Sequence, residues 1–151
     1  MKLFFIPFSL FSGYCPDTKE GFLVRVPDRS AASLLPEIEA NILPGSEIWS
    51  DEWRAYNNVD QIPVNPPYIH DTVNHSRFFT DPVTGVCTNH VESYWRQAKE
   101  KLKSMYGVHE TQLDSYLDQF QWMQRYGRDG AETTLTNLLN HLSSWPQYVT
   151  L

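Results

Sequence analysis

The spacing of apolar residues changes along this chain of 151 residues, and that change constrains the fold more than any single motif. In GFLVRVP, residues 21–27, Phe22, Val24 and Val26 recur at every second position, the period of a strand with one buried face. From residue 89 the step becomes three or four, so Val91, Tyr94, Trp95, Ala98, Leu102 and Met105 line one side of a helix over 89–105. A second helix is expected from Thr111 to about Tyr126, buried through Leu113, Tyr116, Leu117, Phe120 and Met123, with Gly127 as its stop. A third, from about Ala131 to Ser143, is expected to use Leu135, Leu138, Leu139 and Leu142. Strands first and helices after, with one helix interleaved, point to an α/β or α+β layer architecture.

The first half supplies the strands. Residues 3–11 are apolar on both sides, YCPDTKEG is a polar turn, and GFLVRVP returns as the second arm of a hairpin. Ser30 or Ser33 opens a helix to about Asn41 with Leu34, Leu35, Ile38 and Ile42 inward, and Pro36 is tolerated if Ser33 is the cap. SEIWS is a short strand, DEWRAY a turn of helix at its end, and QIPVNPP an irregular crossing because its prolines remove donors and fix φ. HDTVNHSRFFT and DPVTG read as a strand and a tight turn.

The length suits one domain with one core. Eighteen acidic residues against 12 basic ones leave a net charge of −6, so there is no general electrostatic pull toward nucleic acid, and any DNA contact needs a local patch. Cys15 and Cys87 are too few and too far apart for a disulfide framework or a zinc knuckle, and they fit a reducing, intracellular setting, nuclear or cytoplasmic. No stretch approaches the roughly 20 apolar residues of a membrane span. MKLFFIPFSLF is read as a strand or an irregular start rather than a secretory leader, because Pro7 interrupts it and SGYC lacks an A-x-A-like exit.

Two places could carry chemistry. Asp51 closes the SEIWSD strand, and ligand sites gather beyond the carboxyl ends of strands in open sheets; the competing reading is that Asp51 caps the EWRAY turn. Asn89 and Glu92 lie one above the other at the start of the 89–105 helix. Either Thr88 or Asn89 caps the helix with Glu92 closing a capping box, or both oxygens face a hard cation such as Mg²⁺, which takes few protein ligands and keeps several waters. Arg96, Lys99, Lys101 and Lys103 share a basic side of that helix, read as phosphate contacts or as a solvated face.

Three linked blocks, PGSEIWSDEWRAY, VNHSRFF and TNHVESYW, together with GFLVRVPDRS upstream, resemble the catalytic domain of Merlin-type transposases and their bacterial insertion-sequence relatives over about residues 21–126. The resemblance implies an α/β, RNase H-like fold, here a hairpin and short sheet flanked by helices. It divides the chain into a divergent opening at 1–20, the catalytic domain at 21–126, and a C-terminal helix and tail at 127–151. It also implies DDE-type, metal-dependent cleavage and transfer of DNA strands. Mg²⁺ or Mn²⁺ would be the cofactor, transposon ends and target DNA the partners, and a homo-oligomer an open possibility.

Carried over residue by residue, the second catalytic aspartate falls on Asp51, and the third position falls on Asn89 first and Glu92 second. His75 matches the histidine of the VNHS block, where it would bond a phosphate or position a catalytic group, or else sit half-buried against backbone. His70 and His90 rank below it. Arg96, Lys99 and Lys103 are the nucleic-acid candidates. The departure is at the start: the first family aspartate belongs on the opening strand, and MKLFFIPFSLF holds no acid. The expectation is therefore a copy that is truncated at its N-terminal strand, decayed or missing its first exon, with impaired catalysis, or else a non-catalytic module that binds DNA or protein.

Overall fold

The computed structural model describes residues 9–73, 89–105 and 107–144. Strands β1 (Ser9–Cys15) and β2 (Glu20–Val26) form the expected antiparallel hairpin, with Ser9 opposite Val26 and Cys15 opposite Glu20. A side chain on Gly13 would collide with the ring of Phe22 across the hairpin, and one on Gly21 would meet the Tyr94 ring at 2.9 Å. Both glycines are there to admit aromatic rings.

Helix α1 (Ala31–Asn41) starts after Ser30, whose hydroxyl accepts from the Ser33 N–H at 3.3 Å. Ser30 rather than Ser33 is thus the cap. Pro36 consequently falls in the second turn, where it leaves the exposed Ala32 without its usual helical donor, instead of in the first turn where no donor is needed.

Strands β3 (Glu47–Asp51) and β4 (Ile69–Val73) then pair in parallel, Glu47 beside Ile69 and Asp51 beside Val73. Between them the chain crosses through single 3-10 turns at Arg54–Tyr56 and Val59–Gln61, as expected for a proline-interrupted segment. The expected turn DPVTG, and the strand beyond Val73, lie outside the described residues. Three helices complete the order: α2 (Asn89–Ser104), α3 (Leu113–Tyr126) and α4 (Ala131–Ser143).

The hairpin is covered on both faces. Leu23, with Leu10 and Tyr14 of β1, packs on Tyr94, Ala98, Leu102, Leu113 and Leu117 from α2 and α3. Val24 and Val26, with Phe11, meet Leu34 of α1 and Ala55. The alternation of β2 therefore feeds two cores, where the sequence suggested one buried face through Phe22, Val24 and Val26. The outer edge of β2 is also closed: the Gln121 side chain of α3 accepts from the Leu23 N–H at 2.9 Å and donates to its carbonyl at 3.1 Å.

Helix α4 departs from expectation. Leu135, Leu138, Leu139 and Leu142 are 42–57 % exposed, and Met123 of α3 is 45 % exposed. What anchors α4 among the described residues is polar and aromatic: Trp122 donates to His141 Nδ1 at 2.9 Å, and Asn137 donates to the Tyr126 carbonyl at 3.1 Å. No helix of the described residues is long and apolar enough to cross a membrane. The architecture is mixed α/β, two small sheets with several helices.

Candidate active site

Asp51 is the last residue of β3 and is half-buried. Strand alternation sets it on the same face as Trp49 and, through the parallel register, Ile69, which are 40 % and 60 % exposed. The opposite face is packed: Ile48 joins Ile38, Val59, Ile62 and Tyr68, and Ser50 is buried. Asp51 thus ends a strand on the open face of a sheet whose other face is anchored.

Its surroundings hold it in place. Asp51 Oδ1 accepts from the Trp53 N–H at 3.2 Å, a local Asx-type turn, whereas the Arg54–Tyr56 turn itself starts from Trp53 without a side-chain cap, so Asp51 is not the helix cap weighed from the sequence. Among the described residues Oδ2 has no hydrogen-bond or ion partner. Trp53 is pinned in turn, its indole donating to the Arg29 carbonyl at 3.2 Å while the Arg29 guanidinium lies 5.5 Å over the ring. Burial raises the Tyr56 phenol above its ordinary value, with the Asp51 charge adding and Arg29 opposing, which places all three within electrostatic reach.

Behind the carboxylate, the Ser50 hydroxyl donates to the Asp51 backbone carbonyl at 2.8 Å and lies 2.9 Å from His70 Nε2. A hydroxyl has one proton; with it spent on the carbonyl, His70 Nε2 is the donor in this contact. Burial also pushes His70 below its ordinary value, only partly opposed by Asp60 and Asp71. Ser50, Arg29 and Tyr56 were not singled out in the sequence. Ser50 and His70 are 20 positions apart and meet only through the parallel register.

Asn89 is the first residue of α2 and Glu92 lies in its first turn; both are exposed, and neither side chain has a partner among the described residues. Glu92 is favoured there by the positive end of the helix. The packing of α2 is against β1 and α3, whereas Asp51 belongs to the β3–β4 pair. Thr88 and His75 lie outside the described residues. His90 stacks on Tyr14 at 6.3 Å rather than joining Asp51.

Among the described residues no three His, Cys, Asp or Glu side chains gather into a ligand set. The donor chemistry at the candidate positions, two carboxylates and an amide oxygen, fits a hard divalent cation that retains water in most of its coordination sphere. Arg96, Lys99 and Lys103 are exposed on α2 and form no ion pair among the described residues; Lys99 Nζ sits 4.3 Å over the Trp95 ring.

Residues 16–125 match the ISXO2-like transposase domain. The chain belongs to that transposase family. The match covers β2, β3 with Asp51, β4 and the α2 and α3 helices, close to the 21–126 span of the resemblance seen in the sequence. The chain is also 28 % identical over 101 residues to an "Uncharacterized transposase-like protein" of Haemophilus influenzae, covering 67 % of this chain and 77 % of that protein. Both findings set this transposase-family chain among insertion-sequence transposases, with DNA as the partner the family implies.

Proposed function

We propose that this transposase-family chain is a DDE-type catalytic domain of RNase H-like fold, with kinship to Merlin-type transposases, that acts on transposon ends and target DNA. The observation that carries the reading is Asp51: a carboxylate at the carboxyl end of a strand, on the open face of its sheet, with one oxygen held and the other without a partner among the described residues. Asp51 and either Asn89 or Glu92 would hold Mg²⁺ or Mn²⁺. When bound, such an ion supplies Lewis acidity at the scissile phosphate and makes a water acidic enough to attack it.

The remaining roles belong to the chain. The Trp53 N–H and the Ser50–His70 pair restrain the Asp51 backbone and carboxylate, so the charge is presented at one angle rather than sampled. Arg96, Lys99 and Lys103 would meet phosphates along α2, and His75 a phosphate or a reacting group. Residues 1–11 hold no acid, so in this reading they do not share the cation charge carried by Asp51 and the start of α2.

The test is DNA nicking by the purified chain in Mg²⁺ or Mn²⁺, with cation binding followed by calorimetry. Asp51→Asn keeps the bond to Trp53 and should abolish both signals. Unchanged nicking in that variant rejects the active-site reading.

The acid-free stretch of residues 1–11 favours a second reading, a non-catalytic RNase H-like module that binds DNA or protein. It predicts a gel shift of DNA that EDTA leaves intact and that charge reversal of Lys99 and Lys103 removes. Loss of the shift on adding EDTA would reject it.

A further inference from the structure

A second polar site lies between the end of β1, the first half of α2 and the end of α3. Tyr94 is 2 % exposed, its ring packed against Tyr14 at 5.4 Å and Phe120 at 5.2 Å, yet its buried hydroxyl has no hydrogen-bond partner among the described residues. An orphaned hydroxyl of this kind costs about 1–3 kcal/mol, so such groups are rare and ask for a ligand. Burial raises the phenol to about 12, with the nearby Arg128 charge opposing, so it stays a protonated donor at neutral pH.

Arg128, Gln124 and Gln97 form a directed chain at this cavity, whose lining Tyr14, His90 and Ser93 complete. Arg128 can only donate, and its Nη2 bonds Gln124 Oε1 at 2.7 Å; the Gln124 amide nitrogen therefore faces Gln97 and donates to its oxygen at 3.1 Å. That order leaves the Gln97 amide nitrogen as the free end of the chain, a donor without a partner among the described residues. Arg128 has no carboxylate partner among the described residues, and none lines the cavity. Its volume of about 80 Å³ exceeds the roughly 10–15 Å³ that one water requires, which leaves room for a tetrahedral oxyanion.

We propose that this cavity is an oxyanion site for a phosphate group, anchored by the Tyr94 hydroxyl and the Arg128 guanidinium with the Gln97 amide as a third donor. It is separate from the Asp51 site and does not rest on cation binding. A guanidinium and neutral donors converging where no acid intervenes give a phosphate charge-assisted hydrogen bonds and give a cation none.

The experiment is an NMR titration of the full chain at constant ionic strength, exchanging chloride for inorganic phosphate, with a parallel arm using a short DNA duplex that lacks terminal phosphates. Saturable shifts of residues around Tyr94, Gln97, Gln124 and Arg128 are expected with inorganic phosphate. The same shifts in the duplex arm identify a backbone phosphodiester as an accepted source, and their absence there restricts the site to free or terminal phosphate.

Arg128→Gln should weaken phosphate binding about tenfold, the loss of one charge-assisted hydrogen bond. Tyr94→Phe, which keeps the ring packing, should weaken it several-fold while its unfolding midpoint confirms the fold. Arg125→Gln, whose parent side chain pairs with Glu20 at 3.0 Å, and Asp51→Asn should leave binding unchanged. No saturable shift with phosphate, or equal affinity in Arg128→Gln and the parent chain, means the cavity holds water alone and overturns the proposal.

Discussion

The two small sheets are built from similar short strands and are used differently. The β1–β2 hairpin is covered on both faces, by α1 on one side and by α2 and α3 on the other, and even its outer edge is closed by the Gln121 amide. The β3–β4 pair is anchored on one face only, by Ile48, Tyr68 and the Ser50–His70 bond, and shows Trp49 and Ile69 on the face that carries Asp51. Two of the three buried clusters lie against the hairpin, and the candidate chemistry sits on the sheet that is left half open. A reacting carboxylate needs access to its substrate, and access is what burial on both faces denies.

The contrast predicts a graded set of responses. Leu23→Ala removes a side chain that is 2 % exposed between β2 and the α2–α3 pair and should destabilise by about 2–5 kcal/mol in denaturant unfolding. A loss under about 1 kcal/mol would mean that the sandwich is not the main core. Gly21→Ala drives a methyl into the Tyr94 ring and the Gly13 carbonyl, at 2.9 and 3.0 Å, and should lose about 1–3 kcal/mol, because that ring is itself wedged between Tyr14 and Phe120.

The third response tests the half-open sheet by pH. Because the folded state holds His70 below its ordinary value of 6.5, its contribution to stability is present above about pH 6.5 and lost as pH falls through the lowered folded value. Thermal melts of the parent chain should lose stability across that window, and His70→Gln should flatten the loss. A slope equal in both proteins would assign the acid sensitivity to other groups. The smallest change is expected from Trp49→Ser on the open face, within about 0.5 kcal/mol, which chemical denaturation resolves against Leu23→Ala.

The helices were the most legible part of the sequence because their apolar residues recur over three or four turns, and α2, α3 and α4 all fall within a few residues of expectation. Position along the chain was legible, and so was burial in α2 and α3, where Tyr94, Ala98, Leu102, Leu113 and Leu117 are buried, but not in α4. Leu135, Leu138, Leu139 and Leu142 have the spacing of a core face and remain exposed, since periodicity records an apolar stripe and not what covers it. Asp51 could be placed at a strand end from its neighbours in SEIWSDEWRAY, but its surroundings could not: Ser50 and Tyr56 belong to the same block without a local signature of what they touch, and Arg29 and His70 arrive from other segments.

By itself, then, the order of residues determined the hairpin, the helix periods, the strand that ends at Asp51 and membership of a transposase family, all of which depend on neighbours within a few positions or on blocks of matching residues. Tertiary structure alone decided that β2 feeds two cores, that His70 restrains the strand behind Asp51, and that Tyr94 and Arg128 meet across one cavity. The physical reason is range: backbone propensity and hydrophobic period act locally, while burial and hydrogen-bond partnership are set by residues that only chain folding brings within a few ångströms of each other.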